Sequence, residues 1–443
     1  MKWISSLMVL GSILTVEAST VAVIDSGLDY KHEMIVSNLW VNPLEVEDRR
    51  DNDNNGYQDD INGWNFAEQN GVIIDYKYIG TFSPDCKKYF DIQGKNFLGK
   101  ATPEEIAWMK EKIADKKFIA EMGKFGNFVH GTHVAGITVN GSKNEAMGIK
   151  LIPTEFKPFF EGLSLNKSNN TVDRWILLET TFVALATEQM KLLGEIALFI
   201  NSHKAEVANG SFGTGFKQAK IITDNAFKLI FFRKPTEEES NKAAGLFINA
   251  LVKAGNNFAS QAPDTLFVFA AGNDGLSNDE FGTSPANIKA DNVISVGATY
   301  KNEFFAKFSN FGVKMVDIAA PGMLIKSSIP GNEYLEVSGT SQAAPFVAKV
   351  AGKIKDANDK LTPAEVKKIL MGTVDKKAFL ADKVATGGIV NSERAVFAAQ
   401  ISKSMPLALA ITTAKLKVKD EPTHKSVVRS MDVIPMPLAP MFQ

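Results

Sequence analysis

Two histidines lie close together in the segment HGTHVAG, although the chain has only 5 histidines in 443 residues. Imidazole exchanges protons near neutral pH and also binds transition metals. His130 and His133 could therefore ligate a metal together, or one could act as a catalytic base while the other packs. On these two residues alone the alternatives stay open.

Three more polar residues end or follow apolar runs in which they have no packing role. Asp25 ends TVAVID, Ser211 follows AEVANG, and Asn273 ends TLFVFAAGN. The runs lack the alternation of a half-exposed strand, which is typical of buried parallel strands. Ligands of parallel α/β sheets bind beyond the carboxyl ends of the strands. We therefore expect these polar side chains to line one edge of a sheet.

The elements that would position these residues alternate between strands and helices. Segment 178–203, which lies between two apolar runs, has the length and pattern of a helix. This alternation predicts an α/β fold with a doubly wound, mostly parallel sheet and helices on both faces. The predicted strands lie within 20–27, 149–156, 205–213, 265–273 and 292–298.

Ser341 lies in SGTSQAAPFVAKVAGKIKDAN, where the pattern becomes helical. The free amides and the positive dipole end of a helix start would favour a developing negative charge. Pro345 fits a position in the first turn, where amides have no helical partner. Taken alone, Ser341 is more simply explained as an N-cap, and Asn273 as a turn residue.

The order of four segments gives these residues a common explanation. VIDSG, HGTHVAG, AAGND and SGTSQAAP follow one another along the chain, and in this order they resemble the signature segments of the subtilisin-like serine peptidases, or subtilases. The similarity covers about 19–69, 126–156 and 205–400. It implies a three-layer α/β/α peptidase domain.

The resemblance implies a serine endopeptidase that works through an acyl-enzyme, with a triad of Asp25, His130 and Ser341. His130 would take the proton of the Ser341 hydroxyl and return it to the leaving amine, while Asp25 orients the imidazole. The Asn273 side chain and the Ser341 backbone amide would form the oxyanion hole. His133 then becomes a packed neighbour, since no HExxH glutamate supports a zinc pair.

The same resemblance implies where a polypeptide substrate binds as an added, extended strand. It assigns one edge of the cleft to NGSFG (209–213) and the opposite wall of the pocket to FAAGN (269–273). The small residues there predict room for a large apolar side chain, and Phe212 replaces the usual leucine, which would reshape the next subsite. The predicted substrate-binding residues are Ser211, Phe212, Gly213, Ala270, Ala271 and Gly272.

The segment DRRDNDNNGYQDDINGWNF (48–66) carries oxygen-bearing residues at alternating positions around Gly56. This spacing is typical of a calcium loop, and the segment resembles a calcium-loop region of many subtilases. No His or Cys lies nearby in the sequence, which favours Ca²⁺ over zinc. Asn62 replaces the terminal glutamate of an EF-hand, so an Asx-rich surface turn is the alternative. The predicted ligands are Asp51, Asp53, Asn55, the Tyr57 carbonyl, Asp59 and Asp60.

The composition is that of a globular protein with an ample core, at 45% hydrophobic residues. Lys and Arg number 49 against 50 Asp and Glu, so no basic excess indicates nucleic acid as a partner. The single cysteine, Cys86, excludes an internal disulfide. A packed thiol is favoured over a catalytic one.

The stretch MKWISSLMVLGSILTVEA (1–18) has a lysine, an apolar run and small residues at Val16 and Ala18. This pattern predicts a secretory signal that is cut after Ala18, and hence a secreted or periplasmic protein. An uncleaved helix or a first strand is the alternative. No later run reaches the roughly 18 apolar residues that a bilayer span needs.

An insertion relative to the family pattern covers 72–125. Within it, Thr102, Pro103 and Glu105 form a capping-box start, which predicts one helix over 101–123. We hypothesise that the insertion forms a rim or lid over the cleft.

The peptidase domain is predicted to cover 19–400, and the role of the extension 401–443 is left unassigned. Six residues separate Ala18 from Asp25, where the family usually carries a folding prodomain. This spacing and the insertion motivate a second hypothesis, in which the chain keeps the fold as a weakly active binding or scaffold protein. An intracellular processing peptidase is a third hypothesis, which differs only in compartment.

Overall fold

The computed structural model describes residues 18–155 and 173–423. The predicted leader up to Glu17, the final residue of the run 149–156, and the part of the extension from His424 onward lie outside these residues.

The strands are β1 Thr20–Asp25, β2 Gly63–Asn65, β3 Glu145–Lys150, β4 Val207–Gly210, β5 Thr214–Gly215, β6 Leu266–Ala270, β7 Thr283–Ser284, β8 Val293–Tyr300, β9 Phe304–Phe305, β10 Ile318–Pro321, β11 Ile325–Ile329, β12 Glu333–Val337, β13 Asp375–Lys376 and β14 Gly388–Ile389. The α-helices are α1 Pro84–Phe97, α2 Pro103–Ala114, α3 Lys116–Val139, α4 Arg174–Ser202, α5 Phe216–Phe231, α6 Glu237–Ala254, α7 Thr340–Ala357, α8 Pro363–Gly372, α9 Ser392–Ile401 and α10 Leu407–Lys417. Short 3-10 helices lie at Val36–Asn38, Tyr76–Tyr78, Gly255–Gln261 and Ala378–Leu380.

The main sheet has the order β13-β14-β10-β8-β6-β4-β1-β3-β2, with β9 paired to β8. From β14 through β10 to β2 all neighbours are parallel, while β13 and β9 pair antiparallel at their positions. β1 lies between β4 and β3, with Ile24 opposite Gly210 and Asp25 opposite Lys150. The carboxyl ends of β1 and β4 therefore lie side by side.

Apolar side chains of the strands point alternately to the two faces of the sheet, and each face carries helices. Ala22 and Ile24 of β1 belong to a core cluster with residues of α4, α5 and α6. Val21, from the same strand, belongs to a cluster formed with α7, α8 and α9. The predicted α/β class, with a doubly wound and mostly parallel sheet between two helical layers, is confirmed.

The run predicted as a strand over 149–156 is shifted in the structure, because β3 ends at Lys150. Beyond that point the amides of Leu151 and Ile152 both donate to the carbonyl of Asp25, at 2.7 and 3.1 Å. The chain therefore turns across the end of β1 instead of extending the sheet. This turn therefore lies next to Asp25.

The single helix predicted over 101–123 is wrong in its extent. The capping box of Thr102 and Glu105 does start α2, but that helix ends at Ala114. The side chain of Asp115 then accepts from the Lys117 amide and begins α3, which continues to Val139. The insertion thus runs directly into the helix that carries His130.

The insertion has its own apolar cluster, in which α1, α2 and the first half of α3 pack against the β11–β12 hairpin. Lys87 of α1 forms an ion pair with Glu333 of β12. Of the extension from residue 401, α10 packs on the core through Ala414, and buried Arg394 donates to the Val418 carbonyl and to the Asp420 carboxylate.

Candidate active site

Asp25 and His130 meet at the carboxyl edge of the sheet. His130 Nδ1 lies 2.7 Å from Asp25 Oδ1, which also accepts the Ser26 amide at 2.8 Å. Asp25 is fully buried, and the His130 side chain is 27% exposed. The second oxygen of Asp25 is buried without a hydrogen-bond partner among the described residues.

The electrostatics of this pair favour the imidazolium form. Burial by itself lowers the pKa of His130, but the charge of Asp25 and its hydrogen bond outweigh burial and raise the pKa above its ordinary value of 6.5. The protonated form of His130 is therefore stabilised. A general base requires this, because it holds a proton during the reaction.

The glycine that follows His130 brings its helix close to β1. A Cβ on Gly131 would lie 2.0 Å from the carbonyl oxygen of Gly27, and the Gly131 amide donates to the Ser26 hydroxyl at 3.0 Å. Only glycine permits this approach of α3 to the loop after β1. The local HG pattern thus sets the distance between the imidazole and the carboxylate.

Ser341 is the second residue of α7, which begins at Thr340. Its hydroxyl donates to the Ser211 carbonyl at 3.1 Å, and the Ser211 hydroxyl donates to the Ser341 carbonyl at 2.8 Å. No hydrogen bond joins the Ser341 hydroxyl to His130 in the described part of the chain.

The expectation for Pro345 was wrong in its physical reason. Pro345 is inside α7 and not in the first turn, so it removes a helical donor to the carbonyl four residues earlier, which is that of Ser341. The Ser211 hydroxyl supplies the missing hydrogen bond. Asn209 in turn donates to the Ser211 hydroxyl at 2.9 Å, which fixes its orientation.

Asn273 follows β6 on the same edge. Its side-chain oxygen accepts from the Thr340 amide at 2.8 Å and from the Thr340 hydroxyl at 3.0 Å. Because the oxygen is held in this way, the amide nitrogen points away from Thr340, on the side of Gly339. The preceding Gly272 has φ +110° and would clash with Asn310 if it carried a Cβ, so the turn that presents Asn273 requires glycine.

The prediction that His133 is a packed neighbour is confirmed. Its Nε2 lies 3.0 Å from the Leu335 carbonyl and 3.2 Å from that of Ile325, and only 1% of the residue is exposed. Burial lowers the pKa of His133 to about 4. The ring is therefore neutral and points into the β11–β12 hairpin.

Of the predicted substrate-binding residues, Ser211 is hydrogen-bonded to Ser341, and several of the others are closely packed. Phe212 is 6% exposed and packs edge-on against Phe269, so its ring belongs to the core. A Cβ on Gly213 would lie 2.8 Å from the Ser284 carbonyl. Ala270 and Ala271 are buried at 4% and 0% exposure. Neighbouring chain segments therefore approach Gly213, Ala270 and Ala271 closely.

The aspartate-rich segment gathers two groups of possible metal ligands. In the first, Glu45, Asp51 and Asp53 place carboxylate oxygens within 4.8 Å of one another; the second combines Asp53 with Asp60 and His203. No histidine lies nearby in the sequence, but the fold brings His203 to this segment, with its Nε2 3.0 Å from Asp60 Oδ2. Glu45 lies just before the segment that the sequence analysis considered, whereas His203 comes from a distant position that local spacing could not reveal.

Other predicted ligands have partners of their own. The side-chain nitrogen of Asn55 donates to Asp60 at 2.9 Å, and Asp59 Oδ1 accepts the amides of Asp48 and Arg49, both at 3.0 Å. The Tyr57 amide donates to Asn55 Oδ1 at 2.7 Å. The all-carboxylate group fits a hard cation such as Ca²⁺, whereas the group with His203 also suits transition metals.

Cys86 is a packed thiol, as predicted. It is fully buried, and burial with the nearby charges of Glu121 and Asp85 raises its pKa to about 12. A thiol that stays protonated is inert as a nucleophile. Among residues 18–155 and 173–423, no helix has the length and apolar character that crossing a membrane demands.

The comparisons with known proteins give a consistent result. The family model described as "Subtilase family" matches residues 17–392. A "Subtilisin-like protease 1" of Plasmodium vivax is 25% identical over 406 residues, which are 88% of this chain and 49% of that protein. "Alkaline elastase YaB" of a Bacillus species is 38% identical over 135 residues, which cover 30% of this chain and 33% of that protein.

Among solved structures, a cold-adapted subtilisin-like serine proteinase matches with a TM-score of 0.40 and 18% identity, covering 84% of this chain and 89% of that one. The chain spans about half the length of the first curated relatives it matches. Since the family model covers most of the residues, this chain belongs to the subtilase family.

Proposed function

We propose that the protein is a serine endopeptidase in which Ser341 is the nucleophile, His130 the general base and Asp25 the residue that orients His130. The observation that carries the proposal is the 2.7 Å contact between His130 Nδ1 and the buried Asp25 carboxylate, at the sheet edge where α7 presents Ser341. A buried carboxylate on Nδ1 leaves Nε2 as the nitrogen that accepts the serine proton.

The reaction follows from these positions. The Ser341 oxygen attacks the substrate carbonyl while its proton passes to His130, which later donates it to the leaving amine. The charge that develops on the carbonyl oxygen would be stabilised by the Asn273 side-chain nitrogen and by the Ser341 amide at the start of α7. Water then attacks the acyl-enzyme while His130 accepts its proton, and His130 returns this proton to the Ser341 oxygen as the product acid leaves.

We propose that polypeptides bind in extended form along Ser211–Gly213, opposite Ala270–Gly272. Because Phe212 packs in the core, its backbone, and not its ring, would be the part that faces the substrate.

A covalent fluorophosphonate probe tests the proposal. It should label the wild-type protein, and the label should disappear in Ser341→Ala. Ser404→Ala, at an exposed serine, is the matched control and should be labelled normally. Folded wild-type protein that takes up no label would contradict the peptidase and favour the binding or scaffold protein.

We also propose that the aspartate-rich segment holds a structural Ca²⁺ at Glu45, Asp51 and Asp53. The three carboxylates converge within 4.8 Å and each also accepts backbone amides. A cation would offset their mutual repulsion, and hard oxygen donors are the ligands that Ca²⁺ prefers. The site would stabilise the fold and take no part in bond cleavage.

We propose that residues 1–18 act as a secretory signal and that the mature protein is secreted or periplasmic. The lysine, the apolar run, and the small residues Val16 and Ala18 support this. N-terminal sequencing of exported protein checks it, since the proposed cut leaves Ser19 as the first residue. A protein that keeps residues 1–18 and stays inside the cell would be the intracellular alternative.

A further inference from the structure

The start of β1 is held against the end of α7 by an acidic pocket. Ser19 is 2% exposed, and its backbone nitrogen lies 2.9 Å from Asp356 Oδ1. The Ser19 hydroxyl also reaches Asp356 Oδ1, at 2.7 Å, and the Gly352 carbonyl, at 3.1 Å. Asp356 is in the last turn of α7, whose first turn carries Ser341.

A second carboxylate lies at the same place. Glu206, just before β4, accepts the Thr20 amide at 2.9 Å. Burial raises the pKa of Glu206, the Thr20 amide and Lys355 oppose this effect, and the charge of Asp356 adds to it. Two acids therefore face the first amides of β1, with Lys355 as the cation that acts on Glu206 at this position.

Asp356 is an unfavourable residue for the end of a helix. The carboxyl end of a helix carries a partial negative charge, so an acid there is destabilised and a cation is stabilised. A neutral amide at Ser19 donates one hydrogen bond and brings no charge. An ammonium group in the same place would bring a positive charge and two further protons to a pocket that has an excess of acids.

We propose that cleavage between Ala18 and Ser19 creates an α-ammonium group that binds in the pocket of Asp356 and Glu206 and fastens β1 to the end of α7. Water cleaves the peptide bond: its oxygen bonds to the Ala18 carbonyl carbon as the carbon–nitrogen bond breaks, and its two protons go to the Ser19 nitrogen, which leaves a carboxylate on Ala18 and an ammonium on Ser19. The inference rests on the proposed removal of residues 1–18 by a processing peptidase of the export pathway.

The position of the pocket links this cut to the catalytic residues. β1 ends at Asp25 and α7 begins next to Ser341, so the ion pair joins the far ends of the two elements that carry these residues. Removal of residues 1–18 would therefore fix β1 and α7 relative to each other, at the edge of the sheet opposite the catalytic residues. No residue of the catalytic machinery touches the pocket.

The experiment compares two forms of the full-length chain in a Ser341→Ala background, which prevents self-digestion during heating. One form is exported and processed, with its first residue determined by sequencing; the other is kept in the cytoplasm and retains residues 1–18. Asp356→Asn is made in both forms, because asparagine keeps the acceptor oxygen and removes the charge. Asp359→Asn, at an exposed acid just beyond the same helix, is the matched control.

In the processed form, Asp356→Asn should lower the unfolding temperature by about 2 °C, and Asp359→Asn should leave it unchanged. In the unprocessed form, both substitutions should have little effect. If Asp356→Asn lowers the unfolding temperature equally in the two forms, Asp356 makes only an ordinary hydrogen bond to Ser19. That result would contradict the proposed ammonium group. A mature chain that begins elsewhere than Ser19 would instead refute the cleavage itself.

A labelling measurement gives an independent check. A small activated ester acylates neutral amines, and an ammonium held by a carboxylate reacts slowly. The Ser19 amine of the processed protein should therefore react at least several-fold faster in Asp356→Asn and in Glu206→Gln than in the parent, as read by peptide mass spectrometry. Equal rates would contradict the proposal.

Discussion

The two ends of α7 hold opposite kinds of chemistry. Its amino end carries Ser341 and faces Asn273 through Thr340, whereas its carboxyl end carries Asp356 against Ser19. The first end has free amides and a positive dipole, which suit an oxyanion; the second has a negative dipole and two acids, which suit a cation. If both proposals hold, one helix serves a transient negative charge at one edge of the sheet and a permanent positive charge at the other.

The difference shows how position along an element decides what a polar residue can do. At the amino end the hydrogen bonds leave donors free, since the Asn273 oxygen is used by Thr340 and its nitrogen is not. At the carboxyl end, the carboxylates of Asp356 and Glu206 offer more acceptor oxygens than the amides of Ser19 and Thr20 can fill. Catalysis requires the first arrangement, and anchoring requires the second.

The largest expected effect comes from breaking the amino-end site at Asp25. Asp25→Asn should lower kcat by about 10⁴-fold, the figure known for the corresponding aspartate of other serine peptidases. It should also lower the pKa of His130, since the charge of Asp25 raises it. Activity needs neutral His130, so the wild-type rate should rise with pH through a value above 6.5, and the residual rate of the variant should rise at lower pH.

Rate–pH profiles of both proteins check this prediction. A wild-type profile that is flat between about pH 5 and 9 would contradict the role of His130. An acidic limb in Asp25→Asn at the same pH as in the wild type would show that Asp25 does not set the pKa.

The next largest effect concerns the oxyanion. Asn273→Ala should lower kcat by about 10²- to 10³-fold with little change in KM, a range measured for subtilisin itself and not calculated from this chain. Asn273→Asp separates the two functions of the side chain, because it keeps the oxygen that holds Thr340 and loses the nitrogen donor. It should be at least as inactive as Asn273→Ala, whereas near-normal turnover would leave only a structural role for Asn273.

A smaller effect tests the hydrogen bond that replaces the helical donor missing at Pro345. Ser211→Ala leaves the Ser341 carbonyl without the Ser211 hydroxyl and should lower the free energy of unfolding by about 1 to 3 kcal/mol. Pro345→Ala restores an amide four residues after Ser341. The double variant should therefore recover part of the lost free energy of unfolding, as measured by denaturant unfolding. If the losses of the two single variants simply add, the Ser211 hydroxyl does not replace the amide missing at Pro345.

The smallest effect on activity is expected from the aspartate-rich segment, which is remote in sequence from both ends of α7. Removing Ca²⁺ with a chelator should lower the unfolding temperature, by the equivalent of about 2.7 kcal/mol if the ion was present at 100 times its Kd. Asp53→Asn should abolish the difference, because Asp53 belongs to both ligand groups. Asp59→Asn is the control and should keep it; a chelator effect that survives in Asp53→Asn would place the ion elsewhere.

The sequence alone determined the fold class and the order of the polar residues along the sheet edge. Asp25 and Asn273 follow buried apolar runs, and such runs depend on local composition, which a sequence displays directly. The helical register after Gly339 likewise placed Ser341 at a helix start. These features need no knowledge of distant contacts.

Only the tertiary structure decided the contacts between distant segments. His130 lies inside a helix because Asp115 starts it upstream, and the Ser211 hydroxyl reaches the Ser341 carbonyl across 130 residues. His203 joins the aspartates, and Asp356 meets Ser19 across 337 residues. Hydrogen bonds and ion pairs act over a few ångströms in space whatever the separation along the chain, so no local pattern could reveal them.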